Sequence, residues 1–191
     1  RGCSMEIEQV VMPKGLKKYE TTLKETSKSE PESGEISYMT ESQVKAIHFD
    51  HVVHDYVREF HLSKIPASND ALLEQSGEYY FMEFKSGSLR DSMKMSEVKR
   101  KIYESLLIFC DICKTTISFS RQHMTYVLVY EPEKNQKALT GIMNAVGNLA
   151  KRPADIFGLQ GQFKHVYFKE VHVISVAELD HNFVPKHFAE E

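Results

Sequence analysis

Asp70, Glu83 and Lys85 are the residues of this chain whose types and spacing could do chemistry. Two strands are predicted around them, Asp70–Gln75 and Glu78–Lys85, with the turn dipeptide Ser76-Gly77 between. A two-residue hairpin loop pairs Gln75 with Glu78, and the register then steps back one residue at a time until Asp70 faces Glu83. Side chains paired in this way lie roughly 5 Å apart on one face, where two like charges destabilise each other unless a cation compensates them. Lys85 lies two residues past Glu83, so the strand's period of two turns its ammonium to the same face. Two acids that need a compensating cation and a lysine thus share one face, as a structural ion pair or as a site for chemistry.

The strand that carries this group is apolar on both sides. Tyr79 and Phe81 share the face of Glu83 and Lys85, while Tyr80, Met82 and Phe84 occupy the other, which predicts an interior strand covered on both faces. Charges where such a strand emerges cost folding energy, and a departure of that kind marks function.

Other elements must hold the hairpin in place. A helix is expected from Glu41 to Phe60, with Thr40 as N-cap and Gln43 completing a capping box. Its apolar stripe is Phe49, Val52, Val53, Tyr56, Val57 and Phe60; Asp50 and Glu59 lie at the margins, and His51, His54 and Asp55 point away. Leu62–Pro66 is expected as a short first strand. A second helix, capped by Ser96, is expected over Glu97–Lys114, with Val98, Ile102, Leu106, Phe109 and Cys113 buried. Lys99 and Tyr103 sit four residues apart on one edge of that face. Met124–Tyr130 is predicted as a buried strand. A third helix opens at Glu133 or Asn135, carries Leu139, Ile142, Met143, Val146 and Leu149, and ends before Pro153. Asp155–Gln162 is expected as loop and His165–Val176 as one or two strands. The N-terminal residues 1–39 are expected as an extension, with a short strand over Glu6–Met12 and a mobile polar loop over 24–35, and residues 40–191 as a single domain.

An aspartate, a spacer of about a dozen residues and then acid-x-lysine on an apolar strand resembles the PD-(D/E)XK nuclease superfamily, the restriction-endonuclease-like fold. The motif here is Asp70 with Glu83-Phe84-Lys85, and the resemblance covers residues 41 to 131. Asn69 stands where the pattern has proline. The resemblance implies a three-layer α/β/α sandwich around a mixed central sheet, whose core of helix, three strands, helix and strand is extended by a C-terminal helix and strands. It implies a nuclease that hydrolyses phosphodiester bonds, DNA ahead of RNA. Asp70, Glu83 and the backbone carbonyl of Phe84 would hold Mg²⁺ or Mn²⁺, hard cations that prefer oxygen ligands and lower the pKa of a bound water. Lys85 would orient that water or stabilise the developing charge. A helix acid often joins such sites, which selects Asp50, and the histidine ligand of some viral relatives would fall on His54. Lys99 and Tyr103 resemble the Gln-x-x-x-Tyr of bacterial recombination exonucleases, with lysine replacing glutamine. Lys94, Lys99, Arg100 and Lys101 could form a basic wall for a nucleic acid backbone.

Composition bounds the alternatives. The chain has 191 residues, 41% hydrophobic and 27% charged, the values of an ordinary globular domain. A net charge of −3 and a pI near 6.3 do not suggest binding to nucleic acid through bulk electrostatics but leave room for a lysine-lined cleft. No apolar run approaches the roughly 18 residues of a membrane span, no signal-peptide pattern opens the sequence, and an intracellular location, cytoplasmic or nuclear, is expected. Cys3, Cys110 and Cys113 form no framework, and Cys110-x-x-Cys113 sits in an apolar helical pattern that predicts core packing over redox or zinc chemistry. A non-catalytic module of the same fold, serving as a binding or assembly platform in a larger polypeptide or a homo-oligomer, is the competing reading.

Overall fold

The fold is given by a computed structural model that describes residues 12–29, 36–89, 92–136 and 157–188. Its centre is a six-stranded mixed sheet in the order β1 (Glu20–Thr22), β4 (Lys45–His48), β5 (Ala71–Gln75), β6 (Glu78–Lys85), β7 (Met124–Tyr130) and β8 (Glu170–Ser175). Pairing is antiparallel from β1 to β6 and parallel from β6 through β7 to β8. A separate two-stranded ribbon joins β2 (Lys28–Ser29) to β3 (Ser37–Tyr38).

Both faces of the sheet are covered, as the doubly apolar β6 requires. On one face Leu72, Tyr79, Phe81, Tyr126 and Leu128 pack with Phe49, Val52 and Val53 of α2 (Phe49–Glu59), with Val98, Ile102, Leu106 and Phe109 of α3 (Ser92–Ile112), and with Phe119 of α4 (Ile117–His123). On the other, Leu73, Tyr80, Met82, Phe84, Val127 and Val129 pack with Leu23 of α1 (Leu23–Thr26) and with Leu179, Phe183 and Phe188 of a helical run that spans 176–188. The molecule is a mixed α/β sandwich.

Several expectations are corrected. Residues 45–48 form β4, between β1 and β5, and the helix begins only at Phe49, the first member of its apolar stripe. Thr40 caps no helix: its hydroxyl donates to Asp180 and accepts from the Ser42 amide, while the Gln43 amide donates to the carbonyl of Glu41. Leu62–Pro66 is not a strand, and Leu62 and Ile65 are exposed; the strand missing there is β4, on the other side of the helix. The order is therefore strand, helix, two strands, helix, strand. Ser96 lies inside α3, its hydroxyl donating to the Ser92 carbonyl, because the preceding Met93, Lys94 and Met95 are good helix formers. A short helix, α5 (Leu159–Phe163), replaces part of an expected loop, and β8 is one strand.

The segment expected as an N-terminal extension supplies the edge strand β1 and the fully buried Leu23. The third helix is described only at 132–136; its remainder, the strand over Glu6–Met12 and residues 30–35 of the polar loop lie outside the described residues. Met124–Tyr130 is a strand with the predicted ends. Cys110 and Cys113 carry free thiols half-buried against the core, and burial pushes them up to about 11 and about 12, which suits packing and not nucleophilic chemistry.

Candidate active site at the end of the central strand

The hairpin turn sets the site. Ser76 and Gly77 both have positive φ, 53° and 81°, as a two-residue turn matched to strand twist needs, and Glu74 Oε1 accepts from the Gly77 amide. Gln75 pairs with Glu78 and the ladder runs back to Ala71 opposite Met82. One step further, Asp70 meets the end of β6. Its carbonyl accepts from the Phe49 amide at 3.1 Å, and its Oδ2 accepts from the Phe84 amide at 2.7 Å.

Asp70 and Glu83 do converge, and lysines join them. Glu83 is fully buried, and its Oε1 accepts from Lys101 Nζ at 2.7 Å and lies 3.1 Å from Lys85 Nζ. Lys101 Nζ also reaches Asp70 Oδ1 at 3.3 Å. Burial is the main reason both carboxyls are pushed up in pKa; for Asp70 the Glu83 charge adds to it, against the pull of Lys101 and the Phe84 amide, and the result is about 8. Glu83 is pulled back by Lys101 and Lys85. Burial opposes the charge on Lys101, but Glu83 and Asp70 outweigh it and leave its pKa raised. Beneath them stands Tyr126 on β7, fully buried, whose phenol is held far from ionisation first by burial and then by the charges of Glu83 and Asp70.

Two polar atoms here stand without a hydrogen-bond partner among the described residues, Glu83 Oε2 and the Tyr126 hydroxyl. A buried carboxyl oxygen without a partner calls for an explanation, of which a bound ion is one, and an all-oxygen donor set suits Mg²⁺ or Mn²⁺, which keep much of their water. Among the described residues no group of three or more His, Cys, Asp and Glu is placed to hold a metal ion; the carboxyl groups that Lys101 brings together are two, Asp70 and Glu83.

The remaining candidates divide. Asp50, in the first turn of α2, accepts from the Ser68 hydroxyl, and its charge is felt at both Asp70 and Lys101. His54 is exposed on the outer side of α2; His51 stacks on His48 with ring centroids 4.0 Å apart. Tyr103 packs on Phe163 and Tyr167, and its hydroxyl accepts from Gln162 at 2.8 Å, so it serves the helix packing. Lys99 is half-buried and Arg100 exposed. Lys94 lies over Gly87, its ammonium 3.3 Å from where a Cβ would stand.

Lys101, expected on an outer wall, lies instead within the carboxylate pair, its side chain 16% exposed. The signal was in the helix periodicity: position 101 falls three after Val98 and four before the buried Ser105, on the core stripe. Ser105 itself was missed; its hydroxyl accepts from the Asn69 amide at 2.8 Å and fixes the approach to Asp70. A cavity of about 720 Å³ at the β4–β5 edge, lined by Lys45, Glu74 and Phe188 among others, contains neither carboxylate.

No protein-family model matches this chain significantly, and neither does a curated protein or a solved structure. Among the described residues no helix is long and apolar enough to cross a membrane.

Proposed function

We propose that the protein is a divalent-metal-dependent nuclease of the restriction-endonuclease-like class. The observation that carries the reading is the meeting of Asp70, Glu83 and Lys85 at the end of β6, with one oxygen of Glu83 left open. Asp70 and Glu83 would hold Mg²⁺ or Mn²⁺, with the Phe84 carbonyl beside them and Asp50 at the margin. The ion supplies a water of lowered pKa and a positive charge for the leaving oxygen. Lys85, whose side chain is 22% exposed, is the ammonium nearest solvent and can orient a water or meet the charge on a phosphate. Tyr126 and the apolar layer beneath exclude water from below, which strengthens each of these electrostatic contacts. Lys94, Lys99 and Arg100 on α3 can track a nucleic acid backbone, DNA ahead of RNA.

Cleavage of DNA and RNA in Mn²⁺ and in EDTA tests the reading. Metal-dependent cutting that Lys85→Ala lowers by about two orders of magnitude or more is expected, the usual loss when a group that stabilises transition-state charge is removed. Equal cutting by the variant, or none by the parent, would sink it.

One observation favours a second reading. Lys101 already pairs with both carboxyl groups, as in a structural ion cluster, and a non-catalytic module of this fold would keep such a cluster closed. That reading requires no binding of Mn²⁺ in calorimetry.

A further inference from the structure

We infer that Lys101 occupies the cation seat between Asp70 and Glu83, and that a divalent ion enters by displacing its ammonium. The inference rests on the metal-dependent reading and adds the residue that controls loading of the site. Lys101 Nζ stands 2.7 Å from Glu83 Oε1 and 3.3 Å from Asp70 Oδ1, whereas Lys85 approaches Glu83 at 3.1 Å with no ion pair to Asp70 among the described residues. An ammonium that bridges two carboxylates does what a metal ion would do there, with one charge in place of two. The two compete for the seat, because two cations drawn to the same pair of carboxyl groups repel each other at that distance.

The fit of the ammonium is incomplete. It leaves Glu83 Oε2 buried and without a partner among the described residues, while an ion with six ligands can use that oxygen or place one of its waters against it. Withdrawal is open to Lys101. It sits on α3, not on the sheet that holds the carboxylates, and its flexible four-carbon side chain is 16% exposed. Once displaced, the ammonium is a free cation at the rim, next to the position a phosphate would take. Lys101 is thus a positioning residue: it holds the carboxylates together before the ion arrives and is released by it.

Mn²⁺ isotherms on the parent, Lys101→Met and Lys101→Arg test this. Lys101→Met is expected to bind about ten- to a hundredfold more tightly, because the ion no longer has to displace an ammonium from the carboxyl pair, and Lys101→Arg no more tightly than the parent. A parent that binds Mn²⁺ and cuts nucleic acid, beside a Lys101→Met that binds no tighter, overturns the inference and leaves the nuclease reading standing. Absence of binding in all three overturns both. Should Lys101→Met fail to fold, acetic anhydride labelling of the parent answers instead. Saturating Mg²⁺ should raise modification of Lys101 severalfold while that of the exposed Lys114 stays constant, and unchanged labelling of Lys101 overturns the inference.

Discussion

Strand β6 carries a glutamate near each end, each beside two basic side chains, and the two ends behave differently. Glu78 is 31% exposed and pairs with Lys169 at 3.0 Å and His123 at 3.4 Å. Glu83 is fully buried and pairs with Lys101 at 2.7 Å and Lys85 at 3.1 Å. The chemistry of the groups is nearly the same; the dielectric is not. Water screens the first cluster and makes it nearly irrelevant to stability, whereas the second couples its charges tightly and is costly to leave half made. The comparison teaches that partner count says little about a site, and that burial converts an ion pair into a constraint on protonation and ion entry.

The largest effect should come from breaking the buried end. Glu83→Ala leaves Lys101 buried with only Asp70, and urea unfolding should show a loss of about 3–5 kcal/mol. A loss no larger than that of Glu78→Ala would erase the contrast between the two ends.

Next in size is a pH dependence confined to the same end. Asp70 has its pKa raised in the fold, so the native state holds a proton that the unfolded chain has released. The contribution of Asp70 to stability in the absence of metal is then fully present below the ordinary carboxylate value and is lost as pH rises toward about 8. Chemical denaturation across that window checks the slope, and Asp70→Asn should reduce it. A slope that Asp70→Asn leaves untouched would assign the proton elsewhere.

Smaller changes sharpen how the buried end is positioned. Ser105→Ala removes the acceptor of the buried Asn69 amide and should cost about 1–3 kcal/mol in the same assay. Gly77→Ala, at φ 81°, should cost about 1–2 kcal/mol by forcing a Cβ into the left-handed region, read as a fall in melting temperature. Glu78→Ala comes last, at about 0.2–1 kcal/mol and fading with added salt, as for an exposed pair.

Much of this was legible wherever the physics is local. The Ser-Gly turn dictated the register that brings position 70 to position 83, and the doubly apolar pattern of β6 required layers on both sides. β7 was readable from end to end because all seven of its residues are buried. By contrast, Lys45–His48 carries a pattern too short to separate strand from helix, and only its place between β1 and β5 decides the matter. Residues 176–188 gave no signal strong enough to predict, since their helical turns are stabilised mainly by Leu179, Phe183 and Phe188 docking on the far face of the sheet.

The sequence by itself determined which two carboxylates would face each other, because a turn type and a strand period are properties of adjacent residues. Which cation stands between them was decided by tertiary structure alone. Lys85 is set on their face by the strand, but Lys101 arrives from a separate helix packed over the sheet, and its path to Asp70 and Glu83 depends on how Val98, Ile102 and Ser105 seat that helix. Contacts between distant elements are fixed by packing, and packing cannot be read from either element taken separately.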